Sequence, residues 1–247
     1  MQKSLALVLS LISLASLAQE MPHESMDPRT TQIWDLKPRK ITAGANAGEA
    51  PSDAIVLFDG KNISPWSMLN GDDVKWEVKD GAVTVVKGTG AIKTRNTFGD
   101  CQLHIEWRTP VKIEGEGQER GNSGIYIQER YELQVLDSYE SITYSNGQAG
   151  AIYKQYIPLV NACRKPGEWQ TYDVIFTAPH FSDNGRVIIP AAMTVLHNGV
   201  LIQNNVQILG PSDDRGLPVY HPHGKASLQL QDHGNPVSYR NIWIREL

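Results

Sequence analysis

Two dipeptides constrain this chain more than anything else in it. Asp80-Gly81 sits between the apolar alternations of residues 75–78 and 82–86, and Asn198-Gly199 between those of 193–197 and 200–203. An Asx-Gly pair so flanked is the strongest short hairpin signal, because both residues tolerate the positive φ that a type I′ turn requires. Further strands are expected over residues 102–107, 124–128, 132–136, 169–176, 226–231 and 239–244. Their separations are short, and the chain's 21 Gly and 14 Pro supply the turns. No amphipathic helical pattern runs beyond three turns, and no solenoid or propeller period recurs. Many short strands on one domain's length predict an all-β fold, a two-sheet sandwich or barrel.

The ends read differently. Lys3 gives a short positive start, residues 5–17 are apolar, and Ser16-Leu17-Ala18 fits a small-x-small cleavage site. That pattern predicts a secretory signal peptide over residues 1–18, too short for a membrane span. An uncleaved N-terminal anchor is the alternative. No Cys follows the apolar run, so lipid-anchored cleavage is not expected. Removing residues 1–18 takes away one Lys and no acid, leaving 229 residues and net charge −5. Export to the periplasm or beyond follows, and no later stretch is apolar enough to span a bilayer. Residues 19–52, rich in Pro, Gly, Ala and charge, read as an arm that Ile33, Trp34 and Leu36 could dock. Residues 53–247 are expected to form one sandwich domain.

Composition excludes several classes. With 23 Lys+Arg against 27 Asp+Glu, the chain lacks the basic excess of a nucleic-acid binder. Two Cys are too few for a disulfide scaffold or a four-Cys zinc site. Cys101 and Cys163 either pair in an oxidising compartment or sit apart as small core residues.

Strand alternation shows which side chains travel together. His104, Glu106 and Arg108 share one face, Glu132 and Gln134 another, and Gln229 and Gln231 lie opposite Leu228 and Leu230. A solvated outer face is the default explanation. The mixture of Gln, Glu, Arg, Asn and aromatics, with few Lys, also suits a groove that hydrogen-bonds sugar hydroxyls.

Four motifs invite chemistry. The glycines of Arg120-Gly121-Asn122-Ser123-Gly124-Ile125-Tyr126 either admit a ligand to the backbone and the Asn122 amide, or make a bulge. Tyr131-Glu132-Leu133-Gln134-Val135-Leu136 resembles the strand that carries paired carboxylates in retaining glucanases. Those carboxylates must stand about 5–5.5 Å apart; here Leu136 occupies the third alternating position, which disfavours ordinary retaining hydrolysis. In Gln231-Asp232-His233-Gly234, His233 is a candidate base, with Asp232 either orienting it or making an Asx turn. His221 and His223 with an acid could hold a divalent metal ion, but the sequence lacks a metal-specific spacing. No cofactor is otherwise called for. Ser123 lacks the context of an elbow nucleophile.

Taken in order, seven segments resemble the 3-keto-disaccharide hydrolase family. They are residues 55–62 with Trp66, Trp76-Glu77-Val78-Lys79-Asp80-Gly81, residues 121–126, residues 131–138, Gly150-Ala151-Ile152-Tyr153, residues 230–234, and Tyr239-Arg240-Asn241-Ile242-Trp243-Ile244. The resemblance spans roughly residues 50–247 and implies a concanavalin A-like jelly-roll sandwich of two antiparallel sheets, with substrate on one sheet. It implies a carbohydrate substrate, a glycoside already oxidised at C3. A C3 ketone acidifies the C2 proton, so a base removes it, the C1 substituent leaves by elimination, and water then adds. Such a site needs a base, a donor to the enolate oxygen and sugar-binding amides. On this reading Glu132 or His233 is the base, Glu106 and Arg108 join the catalytic set, and Arg108 or Arg240 stabilises the enolate. Asn122, Tyr126, Gln128, Gln134, Gln231 and Arg240 bind substrate. The competing class is a noncatalytic carbohydrate-binding module on the same fold.

Overall fold

The computed structural model describes residues 27–247. The expected signal peptide and residues 19–26 of the expected arm lie outside the described residues. The chain divides into two units between Lys40 and Ile41. In the first, Asp27 caps a short 3₁₀ turn at Pro28–Thr31 through its side chain. Ile33, Trp34 and Leu36 are exposed.

The second unit is all β. Its first eight strands are β1 (Ile55–Phe58), β2 (Trp66–Met68), β3 (Glu77–Lys79), β4 (Ala82–Thr84), β5 (Ile92–Thr94), β6 (Cys101–Arg108), β7 (Ser123–Ile127) and β8 (Tyr131–Val135). Seven more follow: β9 (Gln170–Thr177), β10 (His180–Phe181), β11 (Val187–Ile189), β12 (Ala192–His197), β13 (Val200–Gln207), β14 (Gln229–Leu230) and β15 (Ser238–Glu246). Both Asx-Gly hairpins form. Asp80 and Gly81 turn β3 into β4 with φ of 50° and 77°; Asn198 and Gly199 turn β12 into β13 with φ of 52° and 79°. Positive φ at both central residues is the type I′ geometry, whose twist matches that of the strands it joins.

The larger sheet runs β13-β12-β9-β6-β15-β4-β3, with β1 also on β15, and the smaller runs β2-β5-β14-β7-β8. Their ladders are antiparallel. Period-two alternation builds the core between them. Leu103, Ile105 and Trp107 of β6 point inward and are fully buried, in the same core cluster as Tyr131, Leu133 and Val135 of β8. Each such side chain contributes roughly 1.5–3 kcal/mol by leaving water. Two tyrosines tie the sheets together with buried hydrogen bonds. Tyr239 donates to Ser123 Oγ at 2.6 Å, and Tyr172 donates to the Gln134 carbonyl at 2.9 Å. The fold is the expected two-sheet β-sandwich.

The outer face of the larger sheet carries a clasp. His104 stacks on Trp243, their ring centroids 5.4 Å apart, and its Nδ1 lies 2.6 Å from Asp173 Oδ1. Gly48, at φ 84°, rests on the imidazole, where a Cβ would lie 2.9 Å from Nε2. The Gly48 carbonyl accepts from Trp243 Nε1 at 2.8 Å and Asn241 Nδ2 at 2.9 Å. The segment after Ile41 is thereby pinned across β6 and β15. Burial alone would lower the His104 pKa, but hydrogen bonds to Asp173 and Glu106 more than offset it and push the ring up to about 9. Cys101 and Cys163 are both free, and burial pushes each thiol up to about 12. Among the described residues no helix is long and apolar enough to cross a membrane.

Candidate functional site

A pocket of about 280 Å³ opens on the outer face of the smaller sheet, at the small end of ligand cavities. β7 and β8 form its floor. Their register places Tyr126 directly across from Glu132, and the alternation that sends Leu133 into the core sends Glu132 and Gln134 to the pocket side. Asn122 precedes β7, Gln231 follows β14, and His233 sits on the turn beyond it. Tyr153, Ser212, Asp213 and Asp214 complete the lining from loops.

Glu132 is the buried carboxylate of this lining, with 3% of its surface exposed. A missing side chain makes its position available. A Cβ on Gly124 would collide with Glu132 Oε1 and lie 2.8 Å from Tyr126 Cε2. Gly124 therefore serves neither a bulge nor a turn; it leaves room for the carboxylate. Burial pushes the Glu132 pKa up to about 7, while a hydrogen bond from Tyr126 pulls the other way. Gln231 Nε2 donates to the Tyr126 hydroxyl at 3.2 Å, so that hydroxyl spends its own proton on Glu132.

The three amides are fixed from behind. Asn122 Nδ2 donates to the Gln118 carbonyl at 2.7 Å, and Gln134 Nε2 to Gln118 Oε1 at 3.0 Å. Asn122 Oδ1, Gln134 Oε1 and Gln231 Oε1 are buried and have no hydrogen-bond partner. Buried acceptors are rarely left unpaired without a ligand or water to serve. Three unpaired acceptors thus sit beside the carboxylate, each closed to solvent in this arrangement.

His233 stands exposed at the rim. Asp232 does not orient it: its carboxylate accepts from Gly234 N at 2.9 Å and Gly90 N at 3.0 Å, making the Asx turn.

The structure does not bring the whole expected set together. Glu106 and Arg108 lie on β6 and Arg240 on β15, both strands of the larger sheet. Their faces look away from the core on the side opposite the pocket. Arg240 Nε donates to Glu106 Oε2 at 2.6 Å. Both guanidiniums stack on Trp169, at 4.6 Å for Arg108 and 4.1 Å for Arg240. Burial would raise Glu106, but hydrogen bonds from His104, Asn241 and Arg240 hold it down at about 2. A carboxylate so stabilised is a poor base. Gln128 is also outside the pocket; its Nε2 donates to the Phe98 carbonyl at 2.9 Å, pinning a loop. His223 bonds the Tyr131 hydroxyl at 2.7 Å. Among the described residues no group of three or more His, Cys, Asp or Glu is placed to hold a metal ion. Tyr153, Ser212, Asp213, Asp214 and the supporting Gln118 were not in the expected set. They come from loops, where no periodicity marks a face; Tyr153 lay in one of the seven family-like segments without a role, and the Asp213-Asp214 pair offered a signal in its charge.

A family model described as a 3-keto-alpha-glucoside-1,2-lyase-like domain matches residues 53–245. Among solved structures, a candidate glycosyl hydrolase from Parabacteroides distasonis ATCC 8503 is 48% identical. It covers 92% of this chain and 100% of its own, with a TM-score of 0.87. A second candidate glycosyl hydrolase from that organism is 24% identical over 84% of this chain and 100% of its own, with a TM-score of 0.59, a likeness of fold. No curated protein matches the chain.

Proposed function

The chain belongs to the family of 3-keto-alpha-glucoside-1,2-lyase-like domains, and from that premise we propose that it cleaves glycosides already oxidised at C3. The observation that carries the reading is a single buried carboxylate, Glu132, beside three unpaired amide oxygens. The amides and carboxylate take a hydroxyl-bearing ring, and Glu132 removes the proton from C2. Its pKa of about 7 suits this role, since a base poised near the working pH is both available and strong. The C2–H electron pair becomes an enolate with the C3 ketone, then expels the C1 oxygen to leave a C1–C2 double bond. The departing oxygen takes up a proton. Water adding across that double bond gives net hydrolysis. Asp213 and Asp214 are exposed at the rim, so the pocket interior offers one carboxylate rather than an opposed buried pair. We place the protein outside the cytoplasm on the reading of residues 1–18.

The test is direct. The protein is incubated with a 3-keto-disaccharide and, separately, with the unoxidised disaccharide, and free sugar is measured. Release from the ketone alone, reduced at least about 100-fold by Glu132→Gln, is expected. Equal release from both substrates overturns the ketone requirement. Binding without release makes the protein a carbohydrate-binding module instead.

A further inference from the structure

Proton abstraction next to a ketone puts negative charge on the ketone oxygen, and the pocket must meet that charge with a donor. Part of the lining's donor capacity is already committed. Gln134 Nε2 donates to Gln118 Oε1 and the Gly147 carbonyl, Asn122 and Gln231 each give one of two N–H groups to the Gln118 carbonyl and the Tyr126 hydroxyl, and the Tyr126 hydroxyl bonds Glu132. Arg108 and Arg240 lie on the other sheet. The hydroxyls of Tyr153 and Ser212, the rim residue His233 and one N–H each of Asn122 and Gln231 remain with hydrogens to give.

Tyr153 is the one the backbone aims. Its N–H donates to the Glu132 carbonyl at 3.2 Å, so the tyrosine leaves the chain beside the carboxylate. Lys154, the next residue, is held at φ 58°, a strained conformation for a side-chain-bearing residue. The Lys154 N–H is fixed on the Asn146 carbonyl at 2.8 Å. The Tyr153 hydroxyl lies 2.7 Å from that of Tyr144, which is 41% exposed. The Lys154 ammonium stands 5.5 Å from the Tyr153 ring and 6.0 Å from the Tyr144 ring. When a ligand oxygen accepts from Tyr153, Tyr144 can turn its own proton onto Tyr153, and paired hydroxyls strengthen one another.

We propose that Tyr153, backed by Tyr144, is the catalytic residue that donates a hydrogen bond to the C3 oxygen as it becomes an enolate. This deepens the reading above and rests on it. No proton is transferred: Glu132 gains the C2 proton, the C2–H pair moves to the enolate, and Tyr153 stays protonated throughout.

The experiment separates enolisation from cleavage. A methyl 3-keto-glucoside is incubated with the protein in D₂O. Deuterium uptake at C2 of the uncleaved glycoside is followed by NMR, since hydration after elimination also puts solvent deuterium on C2, and methanol release is measured in parallel. Tyr153→Phe is expected to slow exchange by about 10²–10³-fold, the usual loss for one oxyanion donor, with KM within about threefold of the unsubstituted protein. Tyr144→Phe is expected to slow it by less, because it removes only the relay. Glu132→Gln runs alongside. If Glu132→Gln abolishes exchange while Tyr153→Phe keeps the unsubstituted rate, the donor assignment is overturned and the base stands. If Tyr153→Phe raises KM and leaves kcat alone, the tyrosine only binds substrate and the assignment is again overturned. Exchange that survives Glu132→Gln overturns the base instead. Neither exchange nor methanol release from the unsubstituted protein overturns both.

Discussion

Replacing Glu132 with Gln should make the protein inactive and, above neutral pH, more stable. The carboxyl has an ordinary value of 4.5 and is pushed up to about 7 by burial. A raised carboxyl pKa means that the folded state holds its proton more tightly than the unfolded state does. The carboxyl therefore costs nothing below pH 4.5, where both states are neutral. Its cost grows as pH rises from 4.5 through about 7 and is constant above that. At 1.36 kcal/mol per unit, that window spans about 3 kcal/mol. The substituted amide has no such dependence. Its NH₂ needs a partner and costs about 1 kcal/mol if it finds none, but that cost is the same at every pH. The difference in stability between variant and parent should thus climb by about 3 kcal/mol between pH 4.5 and 8. In a domain of this size, each kcal/mol moves Tm by about 2–4 °C. Thermal melts of both proteins across that range measure it. A difference that stays flat with pH, or is largest in acid, refutes the argument that Glu132 is held in a desolvated site.

Three other outcomes follow from the same geometry. Gly124→Ala should push the Glu132 carboxylate out of place and lower kcat at least about tenfold, while overpacking costs only about 1–3 kcal/mol of stability in chemical denaturation. The rate constant kcat/KM should rise with pH through about 7 as Glu132 loses its proton, and a profile that falls across that range would remove it as the base. Arg108→Ala should leave kcat/KM within about twofold, because Arg108 stacks on Trp169 on the other sheet; a hundredfold loss would show that the two faces act together.

The fold was legible because its signals are local. Asp80-Gly81 and Asn198-Gly199 need only their neighbours to specify a turn, and β6, β7 and β8 fall within a residue of their expected limits. Alternation correctly grouped His104, Glu106 and Arg108 on one face and Glu132 with Gln134 on another. What alternation cannot carry is the sheet to which a face belongs. Both groups point away from the core, one from each side of the sandwich, and the choice between them is made by the pairing of β6 with β9 and β15, a contact between residues far apart in the chain. Gln118, and the role of Tyr153 within its family-like segment, were hidden for a related reason. Their roles come from loop backbone anchored on β8 and from bonds to amides that the sequence places elsewhere.

The orientation of those amides reaches beyond catalysis. Asn122, Gln134 and Gln231 each hold an unpaired oxygen beside Glu132, and Gln134 Nε2 already donates to two partners. An ammonium group brings three hydrogens and a positive charge to the same acceptors, and above pH 7 it meets an ionised Glu132. A sugar bearing an amine in place of a hydroxyl, and carrying no ketone, should therefore occupy the pocket more tightly than the parent sugar does. Being unable to enolise, it would stay there intact. The arrangement that lets the pocket recognise a substrate also describes the inhibitor that would block it, and calorimetric titration of an amino sugar against its parent compares the two.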